Sequence, residues 1–144
     1  MSQKDAVPKW ASPDFYPQAH AMAGKRVRFS EHQGRRVLFV DFSSAELDLI
    51  RAIAAECLQA NRTQPPNSVL ALVEVQDIPF HPDALKIGSE LADLTQPYAL
   101  RTAVSGVTAF RTFLLQPIAS AAKHPIRLFT DRAPALEWLV QGKD

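Results

Sequence analysis

The sequence predicts an α/β fold in which a mixed, mostly parallel sheet carries helices packed on it. Three observations lead to this class. Two strand-like runs flank the turn Gln33-Gly34, four later segments repeat apolar residues every three or four positions, and further strand-like runs lie between those segments. The predicted order is β-β-α-β-α-β-α-β-α. A hairpin followed by alternating helices and strands produces a mixed sheet, because each strand-helix-strand crossover adds a parallel strand.

Length, charge and cysteine content exclude several classes of protein and of binding site. The chain has 144 residues, 47% of them hydrophobic, and a formal net charge of +1, which suits one globular domain without a nucleic-acid footprint. Cys57 is the one cysteine, which excludes an intramolecular disulfide and a multi-cysteine zinc site. The first residues lack the apolar core of a signal peptide, and no apolar run approaches a membrane span of ~20 residues. We therefore expect a cytoplasmic protein.

The first 23 residues differ in composition from the rest. They alternate prolines with aromatic residues, among them Trp10, Phe15 and Tyr16, without a helical or strand period. We expect an extended leader at 1–23, followed by a single domain at 24–144. Two interpretations stay open, since the leader could be flexible or could pack as a strap on the domain or on a partner subunit.

The predicted strands and helices follow from local patterns. Val27 and Phe29 alternate with arginines in the first strand, and RRVLFVDF forms a more apolar second strand. The first helix begins at Ser43 or Ser44, with a serine as its cap. Its apolar stripe comprises Leu47, Ile50, Ile53, Ala54, Cys57 and Leu58, and its opposite side carries Asp48, Arg51, Glu56 and Gln59.

The second half of the chain continues this alternation. SVLALVEV is a central strand, Pro82 opens the second helix, and a fourth strand lies within 98–107. Thr108 caps a third helix that Pro117 should kink; its predicted buried residues are Phe110, Phe113, Leu114, Ile118 and Ala121. A short strand at 126–129 precedes a last helix at 133–141, capped by Thr130-Asp131.

Several strings resemble the STAS or SpoIIAA-like family, especially a bacterial branch whose fold is also compared with CRAL-TRIO lipid-transfer domains. The strings are RRVLFVDFS, VEVQDIPFHPDAL, AVSGVTAFRTFLLQPI and IRLFTDRAPALEWL, and the resemblance covers about residues 24–141. The resemblance implies a SpoIIAA-like sheet. In phospho-regulated members of the family, a serine at the start of a helix is phosphorylated. The matching segment here is Ile78-Pro79-Phe80-His81-Pro82-Asp83-Ala84. No hydroxyl side chain lies between Ser68 and Ser89, so we do not expect this phosphorylation switch in the present chain.

His81 is the first candidate for chemistry, because it lies at a strand-to-helix loop on the edge where open α/β sheets bind ligands. With Asp77 and Asp83 nearby, it could act as a base oriented by a carboxylate; the alternative is a solvated histidine beside a capping acid. The four histidines share no metal-ligand spacing. We predict no metal site, no cofactor and no catalytic residue.

A second candidate is the turn from Ser105 to Thr108. Its hydroxyls, a glycine and the N–H groups of a helix start could bind an anion, with Arg101 or Arg111 adjacent. It lacks the spacing of a P-loop, and an ordinary capped helix is the alternative.

The function expected from these patterns is a non-catalytic bacterial regulatory or protein-interaction module. Its speculative binding residues are Asp77, His81, Asp83, Ser105 and Thr108. One alternative is a binder of a small hydrophobic or lipid-like ligand beneath the third helix, for which an apolar cavity would be the signature. The second alternative is an enzyme that uses His81. A further hypothesis concerns the oligomeric state, since the leader could form a homodimer.

Overall fold

A computed structural model describes residues 7–79 and 81–142 of the chain. Five helices and five strands make up the domain. The helices are α1 (Tyr16–Ala23), α2 (Leu47–Arg62), α3 (Pro82–Thr95), α4 (Ala109–Ala121) and α5 (Arg132–Gln141). The strands are β1 (Val27–His32), β2 (Arg35–Asp41), β3 (Val69–Glu74), β4 (Ala99–Ser105) and β5 (Ile126–Leu128). The predicted α/β class is confirmed.

The strands form one mixed sheet in the order β1-β2-β3-β4-β5. β1 is antiparallel to β2, and each later neighbour pair is parallel. The hairpin between β1 and β2 turns at Gln33 and Gly34, whose φ angles are 51° and 80°. Positive φ at both positions matches a tight turn that follows the right-handed twist of the strands.

Each face of the sheet has its own apolar core, because successive strand residues point to opposite faces. Leu38, Val40 and Ala71 pack with residues of α1, α2 and α3 on one face. On the opposite face, α5 packs against β3 and β4, and its core contains Val37, Leu70, Leu72, Ala103, Ala135, Leu136, Leu139 and Val140.

The described part of the leader is not extended. A 3₁₀ turn at Lys9–Ala11 precedes α1, and Trp10 is buried while its indole N–H donates to Glu90 at 3.1 Å. α1 packs along α2, where Ala19 is fully buried. Aromatic and small residues gain more by packing on the domain than by solvation, so the strap interpretation describes this segment and the extended one is wrong. Residues 1–6 lie outside the described residues.

α2 begins at Leu47, three residues after the predicted serine cap. The N–H groups of Phe42 and Ser44 donate to the carbonyls of Glu74 and Gln76 at 2.8 and 2.9 Å, so this segment extends the pairing of β2 with β3. Ser44 then turns with a φ of 56°. Because these N–H groups have partners in the neighbouring strand, the helix starts only where that pairing ends.

The polar side that we predicted for α2 is partly buried. Glu56 is 9% exposed, and its Oε1 lies 2.9 Å from Nδ1 of His20 on α1. The helical period correctly placed Glu56 opposite the apolar stripe, but it could not reveal that α1 covers that side.

α4 differs most from its prediction. Phe110 and Phe113, expected in the core, are 69% and 83% exposed. Leu114 and Ile118 are half-buried, and Ala121 is exposed. The helix continues through Pro117. Its inward side is therefore the one with Leu114 and Ile118, and its outward side is apolar as well.

Candidate ligand cavity

An apolar cavity of about 160 Å³ lies between the sheet and the helices α3 and α4. Its floor is the face of the sheet that carries Ala71, Val73 and Val104, and its roof is formed by the two helices. The wall residues from the helices are Ile50, Cys57 and Asn61 of α2, Ala84, Leu85, Ile87, Gly88, Leu91, Ala92 and Thr95 of α3, and Arg111, Leu114, Leu115, Ile118 and Ala119 of α4. Protein interiors are close-packed, so a space of this size between two helices and a sheet is a candidate binding site.

The two helices over the cavity approach each other at Gly88 and Ile118. Gly88 of α3 faces Ile118 of α4, and a methyl group added at Gly88 would lie 3.8 Å from Cδ1 of Ile118. That distance is ordinary van der Waals contact. In α4, Ala119 is the one buried residue, so the first two turns of this helix cover the cavity without being embedded in the core.

Arg111 occupies one end of the cavity, at the carboxyl end of β3. Its guanidinium donates to the carbonyl oxygens of Val75 and Ile78, at 3.4 and 2.6 Å. Both of those residues also line the cavity. A charged side chain therefore connects α4 to the loop after β3, and it lies on a mostly apolar wall.

His81 lies at the same end and caps α3. Its Nδ1 accepts a hydrogen bond of 3.0 Å from the N–H of Asp83, which satisfies one of the free N–H groups of the first helical turn. This bond places the ring proton on Nε2. The imidazole is half exposed, and Oδ2 of Asp83 is 3.9 Å from Nδ1, too far for a hydrogen bond. The base with an orienting carboxylate that we considered from the sequence is not formed.

Asp77 and Asp83 lie outside the cavity wall. Asp77 is exposed in the loop with a φ of 57°, and the carboxylate of Asp83 lies 3.9 Å from the guanidinium of Arg51. Phe80, which completes the predicted loop, lies outside the described residues.

The opposite end of the cavity contains a buried histidine that the sequence analysis did not select. Nδ1 of His124 donates to Oε1 of Gln96 at 2.8 Å, and Nε2 accepts from Oγ1 of Thr102 at 3.1 Å. Burial lowers the pKa of His124 below its ordinary value. Partners on β4 and after α3 fix the orientation of this imidazole, and no local sequence pattern marked it.

Cys57 contributes an inert thiol to the wall. It is buried on α2, and burial raises its pKa to about 12. Because the thiolate is the reactive form of cysteine, this side chain acts as a small apolar group, as its position on the stripe predicts.

Two N–H groups of the turn from Ser105 to Thr108 donate to backbone carbonyls. The N–H of Gly106 donates to Thr130 and that of Val107 to Phe129, at 3.2 and 3.1 Å, while the hydroxyl of Thr108 accepts from the N–H of Arg111 at 3.4 Å. Ser105 is 2% exposed. Gly106 has a φ of 81°, and a Cβ there would lie 3.0 Å from the backbone N of Gln76. The turn thus has the geometry of a capped helix start, the alternative that the sequence analysis set beside an anion site.

Arg101, the other arginine considered for that site, lies on the opposite face of the sheet. It is 2% exposed, and its Nε donates to the carbonyl of Leu139 in α5 at 3.1 Å. Alternation along β4 explains this placement, because Arg101 and Ala103 point toward α5 while Thr102 and Val104 point toward the cavity.

Among residues 7–79 and 81–142, no group of three or more histidine, cysteine, aspartate or glutamate side chains could hold a metal ion. None of the helices described for this chain is long and apolar enough to cross a membrane. Comparison of the chain with protein-family models, with curated proteins and with solved structures found no match.

Proposed function

We propose that this protein is a non-catalytic binder of a small hydrophobic ligand, which occupies the cavity between the sheet and the helices α3 and α4. The observation that carries the proposal is the cavity itself. An engineered protein cavity of roughly 150 Å³ stays dry and binds benzene, and the present one is about 160 Å³. A small apolar molecule, or the apolar part of a ligand, fits a space of this size.

The surroundings of the cavity favour binding over catalysis. Its thiol is held protonated, its buried imidazole has both nitrogens in hydrogen bonds, and His81 uses Nδ1 to cap a helix. A nucleophile or a general base needs an accessible lone pair and an orienting group. These three side chains are instead engaged in roles that support the fold.

The test is binding of toluene to the full chain, followed by methyl NMR shifts. We expect saturable shifts for Ala71 and Leu114, on opposite walls of the cavity, and none for Leu139, which packs on the other face. Absence of saturable shifts at the cavity residues would reject the proposal.

A matched pair of substitutions sharpens this test. Ala71 and Ala103 lie on adjacent strands and point to opposite faces, one lining the cavity and one packed against α5. Ala71→Leu should fill empty space, keep the stability close to wild type and abolish toluene binding. Ala103→Leu overpacks a filled core and should cost about 1–3 kcal/mol, while the folded fraction still binds toluene. Equal toluene binding by wild type and Ala71→Leu would contradict the proposed site.

A second candidate function is a regulatory or protein-interaction module of the STAS kind, as the resemblance implies. It is favoured by the outward side of α4, where Phe110, Phe113 and Pro117 are exposed and recur at helical spacing. Exposed aromatic residues that cluster in this way are typical of interaction surfaces. The substitution pair Phe110→Ser and Phe113→Ser should abolish capture of a partner from extract without changing toluene binding. Retained capture by the double variant would argue against this surface.

A further inference from the structure

Three uncharged polar side chains lie on the cavity wall, toward the end where α2 and α3 finish. They are Asn61 in the last turn of α2, Thr95 in the last turn of α3, and Thr102 of β4. The two helix ends are neighbours, since the N–H of Asn67 after α2 donates to the carbonyl of Pro97 after α3 at 3.1 Å. None of the described residues that line the cavity has a carboxylate. Hydrogen bonds that a ligand makes at this end would therefore involve these neutral side chains.

Asn61 has an oxygen atom to which no group in the described part of the chain donates. The residue is 2% exposed, and its Nδ2 donates to the carbonyl of Cys57 at 2.9 Å and to the Cys57 sulfur at 3.6 Å. Because a carbonyl oxygen can only accept, this bond fixes Nδ2 on the side of the helix backbone and Oδ1 on the other side of the amide. Buried amide oxygens almost always have a partner, so Oδ1 of Asn61 is an acceptor that a ligand could satisfy.

The two threonine hydroxyls on the wall already donate their protons within the protein. Oγ1 of Thr95 donates to the carbonyl of Leu91 at 2.8 Å. Oγ1 of Thr102 donates to Nε2 of His124 at 3.1 Å, because Nδ1 of that ring donates to Gln96. A hydroxyl has one proton and two lone pairs. Toward a ligand, each threonine can therefore only accept, as the oxygen of Asn61 does.

From this arrangement we infer that the ligand is a neutral hydrophobic molecule with one hydroxyl group, an alcohol or a phenol, whose proton is donated to Oδ1 of Asn61. The inference rests on the proposed function and adds the chemical class of the ligand. An unpaired buried acceptor retains its full desolvation cost. A ligand that supplies the missing proton therefore gains over a molecule of the same shape that cannot. The apolar body of the ligand lies against aliphatic side chains of α3 and α4, such as Leu91 and Leu115.

The test compares phenol with fluorobenzene, which is similar in size but lacks the hydroxyl proton, by NMR titration of the full chain at pH 7.5. In a wholly apolar cavity fluorobenzene would bind more tightly, since phenol gives up hydrogen bonds to water. We expect the reverse order, with phenol tighter by about threefold or more, and a shift of the Asn61 side-chain amide signal that fluorobenzene does not cause. If toluene and fluorobenzene bind and phenol has no advantage, the inference is wrong while the proposed function stands. If none of the three probes binds, both are wrong.

A matched pair of substitutions assigns the preference to Asn61. Asn61→Leu replaces the amide with an apolar side chain of the same branching, and it should reverse the order so that fluorobenzene binds more tightly than phenol. Gln59→Leu removes an amide of the same helix that does not line the cavity, and it should keep the wild-type order. If phenol keeps its advantage in a folded Asn61→Leu variant, another group recognises the hydroxyl and the inference fails. If that variant does not fold, the wild-type amide signal decides, and an unshifted Asn61 signal at saturation with phenol overturns the inference.

Discussion

Helices α2 and α4 are both rich in apolar residues, yet they differ in how the rest of the chain surrounds them. Nine residues of α2 are buried, whereas Ala119 is the one buried residue of α4. α2 contacts α1, α3 and the first strands, while α4 packs on β5 and α3. Apolar composition makes a helix able to pack, but the neighbours supplied by distant parts of the chain decide how much of it is buried.

The surroundings of α2 and α4 also differ in how much space they leave. α1 and the turn before it fill the space around α2, which leaves a well-packed half of the domain. No comparable segment covers the outward side of α4 in the described part of the chain, and a cavity remains beneath it. One half of the molecule provides stability, and the other half has the space that a ligand needs.

The largest expected effect comes from paired isoleucine truncations that test this contrast directly. Ile53 of α2 is fully buried and Ile118 of α4 is half-buried beside the cavity. Ile53→Ala should lower the free energy of unfolding by about 2–5 kcal/mol, because it leaves a void in a packed core. Ile118→Ala should cost about 1 kcal/mol or less, since its methyl groups already border empty space. Urea denaturation of both variants measures the difference, and equal losses would show that the two helices are equally packed.

Prediction from sequence succeeded where local pattern and packing agree. The turn at Gln33-Gly34, the start of α3 at Pro82 and the cap of α4 at Thr108 are confirmed, because each depends on residues close together in the chain. The exposure of Phe113 and the burial of Glu56 depend on whether a distant segment covers that side. A hydrophobic period identifies an apolar side but not the neighbour it meets.

The same limit applies to the candidate site. The sequence analysis selected His81 because it follows a strand that ends at the edge where open α/β sheets bind ligands. Arg111 was considered for a different site, the turn at Ser105. An apolar cavity beneath the third helix was named only as the signature of an alternative function, a binder of a hydrophobic ligand. His124 was not found, since its partners Thr102 and Gln96 are distant in sequence by 22 and 28 residues.

The next largest expected effect is the pH dependence of folding stability that His124 contributes. His124 follows α4, and burial lowers its pKa in the folded state, so the unfolded chain binds its proton more readily. Stability is therefore complete above the ordinary histidine pKa of about 6.5 and falls as the pH drops through that value toward the lower pKa of the folded state. Protonation would also place a charge at the apolar end of the cavity.

Urea denaturation at pH 7.5 and pH 5.5 measures this dependence. The variant His124→Gln keeps a hydrogen-bonding side chain without a titrating group, so it should lose less stability between the two pH values than the wild type does. The exposed His20 serves as the comparison, and His20→Gln should leave the contribution of His124 intact. An unchanged pH dependence in His124→Gln would mean that other groups cause it.

The smallest expected effect is on the outward side of α4. Phe113 is 83% exposed, so Phe113→Ser removes little buried area and should change the free energy of unfolding by less than about 0.5 kcal/mol. By contrast, a loss above about 1 kcal/mol that depends on protein concentration would mean that a second copy covers this helix, because stability gained by association scales with the concentration of the partner. In that case the open half of the molecule would be closed by assembly, and the contrast between α2 and α4 would hold only for the isolated chain. Urea denaturation at two protein concentrations a hundredfold apart distinguishes these outcomes.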